Sequence, residues 1–508
     1  MRKFRSRLSL AVFLAIITFL LVSPASLFAR AGGGEGYHGG GGGGGGGHGG
    51  GHGGGGDNGW ILYLLFELFI HHPLVGLALI VIIGILYLVY GRNSPPNATS
   101  RNLSGLGAPQ TGADRQEIQR LRANDPNFDE QAFYHRVDLA FGKIQVAWCS
   151  QNLAGVRPFI SDGVHERFTL QFAEQRAQGW RDQMDNIAVH GISFTELRSD
   201  GLFDELSVRI DASAADYHVS LTDGRPLRGT AAPERFVEIW SFLRHRGAVT
   251  QPGKAGLIEG NCPNCGAPVE LNQSANCSHC KALLRSGQYD WVLSEITQEV
   301  EWHGARHGDL PGVAVLRSRD PDFNAVELED RASVMFWRKA TADRLGKIDP
   351  LRKAASEAFC QAYAPMLRPG QEGQRQFYID CAVGSVALLG VSSDGQGDRA
   401  VVEVRWSGKR VAGAPNQAPR VLEENHLAYS LFVLWRQPGA KTDIGKGISS
   451  AHCPTCGAPE SDSASNACEF CGSVLNDGAH GWVLVDIANR NDSRGARILD
   501  RLTHSQAT

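Results

Sequence analysis

Cys262-Pro-Asn-Cys265-Gly-Ala-Pro268 recurs as Cys453-Pro-Thr-Cys456-Gly-Ala-Pro459, and the pairs Cys277/Cys280 and Cys468/Cys471 follow at the same distance. Trp291-Val-Leu-Ser-Glu-Ile296 then returns as Trp482-Val-Leu-Val-Asp-Ile487, with no insertion between cysteines and tryptophan in either copy. Fixed-period self-similarity means that one folding unit is written twice. The likeness continues upstream, where Asp125-Pro-Asn-Phe128 answers Asp320-Pro-Asp-Phe323, Val156-Arg-Pro-Phe159 answers Ile348-Asp-Pro-Leu351, and Ser199-Asp-Gly201 answers Ser393-Asp-Gly395. The expected order is a domain over 125–250, a cysteine ribbon over 258–298, a second domain over 320–440, a second ribbon over 449–489, and a tail over 490–508.

Within each copy, helical spacing comes first and alternation later. Phe133, Val137, Phe141, Ile144 and Trp148 recur at near-helical intervals, as do Leu328, Met335 and Ala342. A second helix is expected over Val164–Gln178, with Phe168 and Phe172 at i,i+4. Strand alternation follows, with Leu206, Val208 and Ile210 on one face and Ser207 and Arg209 on the other. Phe236–Leu243, Ala400–Trp406 and Leu427–Trp435 read as further strands. Helices followed by strands indicate α+β, a curved antiparallel sheet with helices on one face.

Two knuckles, each presenting two thiolates, are the pattern of a four-cysteine zinc ribbon. The candidate ligands are Cys262, Cys265, Cys277 and Cys280 in the first copy and Cys453, Cys456, Cys468 and Cys471 in the second. Four thiolates saturate Zn²⁺, so two structural ions are expected. The second ribbon holds few large apolar side chains, chiefly Phe470, Val474 and Leu475, and needs a metal cross-link to fold. Disulfide pairing would require an oxidising compartment. Cys149, Cys360 and Cys381, the remaining three of the eleven cysteines, fall in apolar-periodic stretches and read as core residues.

The chain of 508 residues is long enough for several domains. Up to Arg92 there are six basic and three acidic residues, which leaves 44 basic against 50 acidic for the rest. An acidic body argues against a broad nucleic-acid surface. Lys281 and Arg285 flank the first ribbon, whereas 472–478 beside the second carries no basic residue, so a shared nucleic-acid contact is not expected.

Met1–Ala31 has the basic start, apolar run Leu8–Val22 and Ala29-Arg30-Ala31 exit of a signal peptide, with an uncleaved membrane helix as the alternative. The stretch 32–59 contains 21 glycines with His38, His48 and His52 and reads as a tether. Over 60–91, Trp60–Ile70 suits the membrane interface, and Leu74–Tyr90 is an uncharged run of transmembrane length edged by Tyr90 and Arg92. Arg92 and Arg101 after the span, against Glu35 and Asp57 before it, put the C-terminal body in the cytoplasm and the glycine tract outside. The topology is a single span or, with the first helix kept, a hairpin. A linker is expected over 92–124.

The run Asp125-Pro-Asn-Phe-Asp-Glu-Gln-Ala-Phe-Tyr-His-Arg-Val-Asp-Leu-Ala-Phe-Gly-Lys-Ile-Gln-Val-Ala-Trp148, then Val156-Arg-Pro-Phe-Ile-Ser-Asp-Gly163 and Glu166-Arg-Phe168, resembles the C-terminal domain of the mitochondrial inner-membrane translocase subunit forty-four and its bacterial relatives. The resemblance covers 125–248 and, in weaker form, 320–437. It implies two cone-shaped α+β domains of the nuclear-transport-factor type, a bacterial inner-membrane location and a scaffold role. The implied partners are proteins of a translocation or assembly machinery, and a homo-oligomer stays open. Lipid or small-ligand binding in the cones is an alternative. An isomerase-type enzyme is another, for which Asp211, Asp216, Tyr217 and His218 are the candidates. The comparable stretch of the second copy, Ser407-Gly408-Lys409-Arg410, offers no acid/base pair, so a non-enzymatic adaptor is the leading expectation.

Overall fold

The long helix of each repeat is capped at its first turn by a side chain. The computed structural model describes residues 112–504, apart from residue 201 and the stretches 270–275, 300, 303, 305–309, 371–372, 414–418, 444–449 and 462. The signal, glycine tract and span expected over 1–91 lie outside the described residues. Among the described residues no helix is long and apolar enough to cross a membrane.

The first module comprises α1 (Gly112–Asn124), α2 (Glu130–Ser150), α3 (Asp162–Gln178) and strands β1 (Trp180–Asp200), β2 (Phe203–Ser220), β3 (Pro226–His245) and β4 (Val292–Gln298). The second comprises α4 (Val313–Arg319), α5 (Ala325–Leu345), α6 (Glu357–Tyr363), β5 (Arg375–Asp394), β6 (Gly397–Gly413), β7 (Arg420–Arg436) and β8 (Val483–Asn489), followed by α7 (Ser493–His504). Both sheets are antiparallel meanders, in the orders β1-β2-β3-β4 and β5-β6-β7-β8.

The Asp129 side chain accepts from the Ala132 N–H at 2.7 Å to start α2, and Asn324 accepts from Glu327 at 2.7 Å to start α5. Phe133, Val137, Phe141, Ile144 and Trp148 all face the first core, while Leu328, Met335 and Ala342 face the second. A proline-bearing 3₁₀ turn, Arg157–Phe159 or Asp349–Leu351, then brings the chain alongside the fourth strand. There Ile160 bridges Leu293 and Ala355 bridges Leu484. Both first strands bend at matching bulges, where Asn186 (φ 53°) and Asp380 (φ 50°) adopt the left-handed conformation that Asn and Asp tolerate best.

Three boundaries differ from the sequence reading. The linker expected over 92–124 is helical from Gly112, and Leu121 of α1 is buried in the first core. The Trp-Val-Leu segments assigned to the ribbons supply β4 and β8, so each ribbon is inserted between the third and fourth strands instead of following a finished domain. The tail expected over 490–508 forms α7, whose Ile498, Leu499 and Leu502 cover Leu389, Val401 and Leu431 on the outer face of the second sheet.

The outer face of the first sheet is covered differently. Ser207, on the face opposite Leu206, Val208 and Ile210, is buried and shares a hydrogen bond with Ser241 at 2.8 Å. Opposite them lies α5, which is buried almost all round. The second module therefore docks its long helix α5 on the polar sheet face of the first. At the positions of α2 that correspond to buried Val334 and Trp337 of α5, Leu139 and Gly142 remain exposed, and Val146 on the same helix is 69% exposed.

Candidate metal centres and the joint between modules

Each cysteine pair sits on a tight knuckle. The amides of Gly266, Lys281, Gly457 and Gly472 donate to the carbonyls of Cys262, Cys277, Cys453 and Cys468 at 2.7, 3.0, 2.8 and 2.9 Å. These four donors all have φ between 63° and 79°, so glycine suits three positions and Lys281 carries the strain of the fourth. The turns aim the sulfurs inward. Sγ separations are 3.7 Å for Cys262–Cys280, 3.8 Å for Cys265–Cys277, 3.6 Å for Cys453–Cys471 and 3.7 Å for Cys456–Cys468.

A disulfide needs about 2.05 Å between sulfurs. Four sulfurs at about 2.3 Å from a central zinc are about 3.8 Å apart along each tetrahedral edge. The two groups, Cys262/Cys265/Cys277/Cys280 and Cys453/Cys456/Cys468/Cys471, therefore have the separations of tetrahedral metal sites. Their protons are unevenly held. The Ala282 N–H lowers Cys280 to about 6, and the Ser473 hydroxyl lowers Cys471 to about 6, whereas burial pushes Cys262 up to about 12. The ribbons differ in anchorage: Cys262 and Cys277 join the main core of the first module, whereas Cys453, Cys468 and Leu475 form a cluster of their own.

The second ribbon holds the modules together. Asp162, at the start of α3 in the first module, pairs with Arg157 and accepts from the Ala451 amide at 2.7 Å and from His452 Nδ1 at 2.8 Å. Arg338 of α5 reaches Glu166 of α3 at 3.1 Å and Glu460 of the ribbon at 2.5 Å. Lys353 donates to the Ser461 carbonyl at 2.6 Å and to the Ser463 hydroxyl at 2.7 Å. Elsewhere across the joint, Arg198 links Glu205 and Glu329, Asp200 accepts from the Ala325 amide at 2.6 Å, and Glu174 accepts from the Asp380 amide at 3.1 Å.

A second constellation is duplicated inside the modules. Asp125 accepts from Arg244 at 2.7 Å and from the Thr250 amide at 3.1 Å, and the Arg244 guanidinium lies 4.4 Å from the Trp291 ring centre. Asp320 accepts from Arg436 at 2.7 Å and from the Thr442 amide at 3.1 Å, and Arg436 lies 4.6 Å from Trp482. This explains why Asp-Pro and Trp-Val-Leu recur together: a buried carboxylate, guanidinium and indole clamp the start of each module to its last strand. Sequence reading found the Asp and Trp and missed Arg244, Thr250, Arg436 and Thr442, although the Arg-x5-Thr spacing is the same in both copies.

Of the residues weighed for catalysis, Asp211, Tyr217 and His218 engage different partners. Arg235 engages Asp211 through two hydrogen bonds of 2.7 and 2.8 Å and holds its carboxyl below the usual range. Tyr217 donates to Asp185. His218 is buried, stacks on Trp180 at 3.8 Å and lies 3.3 Å from Asp182, which in turn accepts from Trp148 at 3.0 Å and Gln175 at 3.2 Å. Asp216 is buried. In the second module Lys409 pairs with Asp380 and Arg410 with Glu423. Cys360 and Cys381 are buried as expected, and Cys149 is half-buried, its sulfur accepting from the Met184 amide.

With α1, α2, α3 and the first three strands in place, the family comparison falls on one module. Residues 115–255 match the Tim44-like domain. That match ends before Cys262, so both ribbons, β4 and the second module lie beyond the matched Tim44-like domain. No curated protein matches this sequence. The fold is α+β with curved antiparallel sheets, in keeping with a Tim44-like domain.

Proposed function

We propose that this protein is a membrane-tethered, non-enzymatic adaptor that handles polypeptides during translocation or membrane-protein assembly, with two structural zinc ions bracing its paired modules. The observation that carries this reading is the Tim44-like domain at 115–255, docked on its own near-copy so that Leu139 and Val146 of α2 stay open. The buried polar joint supports a rigid scaffold, since Asp162, Glu174, Arg198 and Arg338 each reach a partner in the other module or ribbon. The sulfur separations support zinc as the metal, which Cys262, Cys265, Cys277 and Cys280 hold in the first ribbon and Cys453, Cys456, Cys468 and Cys471 in the second. The uncharged stretch Leu74–Tyr90 supplies the anchor, with the body on the cytoplasmic side of the inner membrane.

The test is photo-crosslinking in intact membranes from Val146. Trp148, two residues on, is fully buried and would report only on the core. Polypeptide adducts at Val146 are the expected result. Adducts consisting of lipid alone would replace the adaptor by the lipid-binding reading.

A further inference from the structure

The repeated Asp–Arg–Thr–Trp clamp borders a cavity in both modules. In the first it measures about 270 Å³ and includes Phe128, Arg244, Thr250 and Trp291. In the second the corresponding Phe323, Arg436, Thr442 and Trp482 open into a larger cleft of about 470 Å³, because Lys281 and Tyr289 of the first ribbon region form its far wall and Pro454 and Thr455 of the second ribbon its near wall.

The two cavities differ in charge. In the first, Arg136 is neutralised by Asp290 at 2.7 Å and Glu259 at 3.0 Å. Its counterpart Arg331 instead donates to the Ser450 carbonyl and, at 3.3 Å, to the Trp482 carbonyl, with Glu460 no nearer than 3.9 Å. Arg436 is 1% exposed, and its Nη2 has no hydrogen-bond partner although Nε and Nη1 are both engaged. Lys441 replaces the Val249 of the first cavity. The cleft thus gathers Lys281, Arg331 and Lys441 against Glu327 and Asp443, together with Arg436, whose Nη1 and Nε are engaged by Asp320 and Asp398, in a body that is acidic overall. Burial pushes Glu327 up to about 7, which weakens its opposition to an incoming anion near neutral pH.

We propose that the cleft between the ribbons binds an extended acidic peptide segment, its carboxylates meeting Lys281, Lys441 and Arg436 Nη2 while its apolar side chains lie against Trp482 and Tyr289. An orphaned buried guanidinium N–H gains a charge-assisted hydrogen bond from such a ligand. The aromatic walls favour a peptide over a bare anion. The choice of peptide rests on the adaptor reading, whereas the anion preference rests on the cleft alone.

The test uses the full zinc-loaded chain in detergent micelles and a fluorescent eight-residue peptide of alternating Glu and Leu, compared with its Gln-for-Glu counterpart. Stronger binding of the Glu peptide by tenfold or more, lost in Lys281→Glu/Lys441→Glu and kept in the surface control Lys347→Glu, is expected. Equal binding of the two peptides, or binding indifferent to the charge reversal, overturns the proposal. Displacement by inorganic phosphate at concentrations matching the peptide would overturn the peptide reading as well. If the charge-reversed chain loses its zinc or its circular dichroism, Lys281→Gln/Lys441→Gln replaces it, and an unchanged affinity there is equally decisive against the cleft. Polypeptide crosslinks at Val146 without peptide binding would remove the cleft and leave the adaptor standing.

Discussion

His452 Nδ1 lies 2.8 Å from Asp162 Oδ2, a contact spanning 290 residues of chain that fastens the second ribbon to the first module. Asp162 is 1% exposed and also serves Arg157 and the Ala451 amide. Removing one member of a buried ionic network costs about 3–5 kcal/mol, because the others are left without a partner. Asp162→Ala should lose about that much in urea denaturation and should open the joint to proteolysis. A variant with an unchanged midpoint would show that Asp162 does not hold the modules.

Arg436 serves Asp320 and Asp398 together, at 2.7 and 3.0 Å, whereas among the described residues Arg244 forms an ion pair with Asp125 at 2.7 Å and no second one. Arg436→Ala should therefore destabilise the chain more than Arg244→Ala, each by a few kcal/mol. Arg436→Lys should recover little, since an ammonium cannot reproduce the planar fork. Equal midpoints for Arg436→Lys and the unmodified chain would contradict this.

Metal analysis of the purified chain should give two zinc ions, falling to one in Cys262→Ser and in Cys453→Ser. The structural consequences should differ. Loss of the first ion disturbs the main core, which contains Cys262 and Cys277, whereas loss of the second loosens the joint around Asp162. Hydrogen exchange that is unaltered in β3 and β4 of Cys262→Ser would refute this assignment.

Burial pushes Asp330 up to about 7 and Glu301 up to about 8. Asp330 also faces Asp162, and Glu301 faces Glu295, which add to the rise, while Arg167 and Arg405 oppose it at Glu301. A carboxyl whose pKa is higher folded than unfolded binds more protons in the native state, so stability falls as pH rises from about 4 to about 8. Glu301→Gln should flatten that slope, with its largest stabilisation relative to the unmodified chain near pH 8. Parallel denaturation midpoints across this window would exclude the mechanism.

Leu502 of α7 is 4% exposed against Leu389, Val401 and Leu431. Leu502→Ala should cost about 2–3 kcal/mol through lost burial and a residual cavity. Truncation after residue 489 should bare this patch and promote self-association, read by light scattering. A monomeric truncated chain would mean that α7 is dispensable as a cover.

Much of each module was legible locally. The spacing of Phe133, Val137, Phe141, Ile144 and Trp148 gave the buried face of α2, because helix periodicity records which side meets the core. The cysteine spacing gave both sulfur groups. Arg244 and Arg436 escaped notice because an isolated arginine at a strand end looks the same whether it meets water or a buried carboxylate. What covers Ser207 is illegible for a related reason: alternation identifies a polar face and says nothing of what lies on it.

The sequence by itself determined that one α+β module with a cysteine ribbon is present twice, since repeat, periodicity and ligand spacing are all properties of neighbouring residues. Only the tertiary structure decided how the copies are joined. Ser207 and Ser241 meet α5 across a polar interface, whereas Val401 and Leu431 of the second sheet meet α7. Hydrophobic periodicity marks an apolar face that must be covered, but a polar face is compatible with water, a cation or another module. The choice among them is made by carboxylates, guanidiniums and an imidazole brought together from positions as distant as Asp162 and His452.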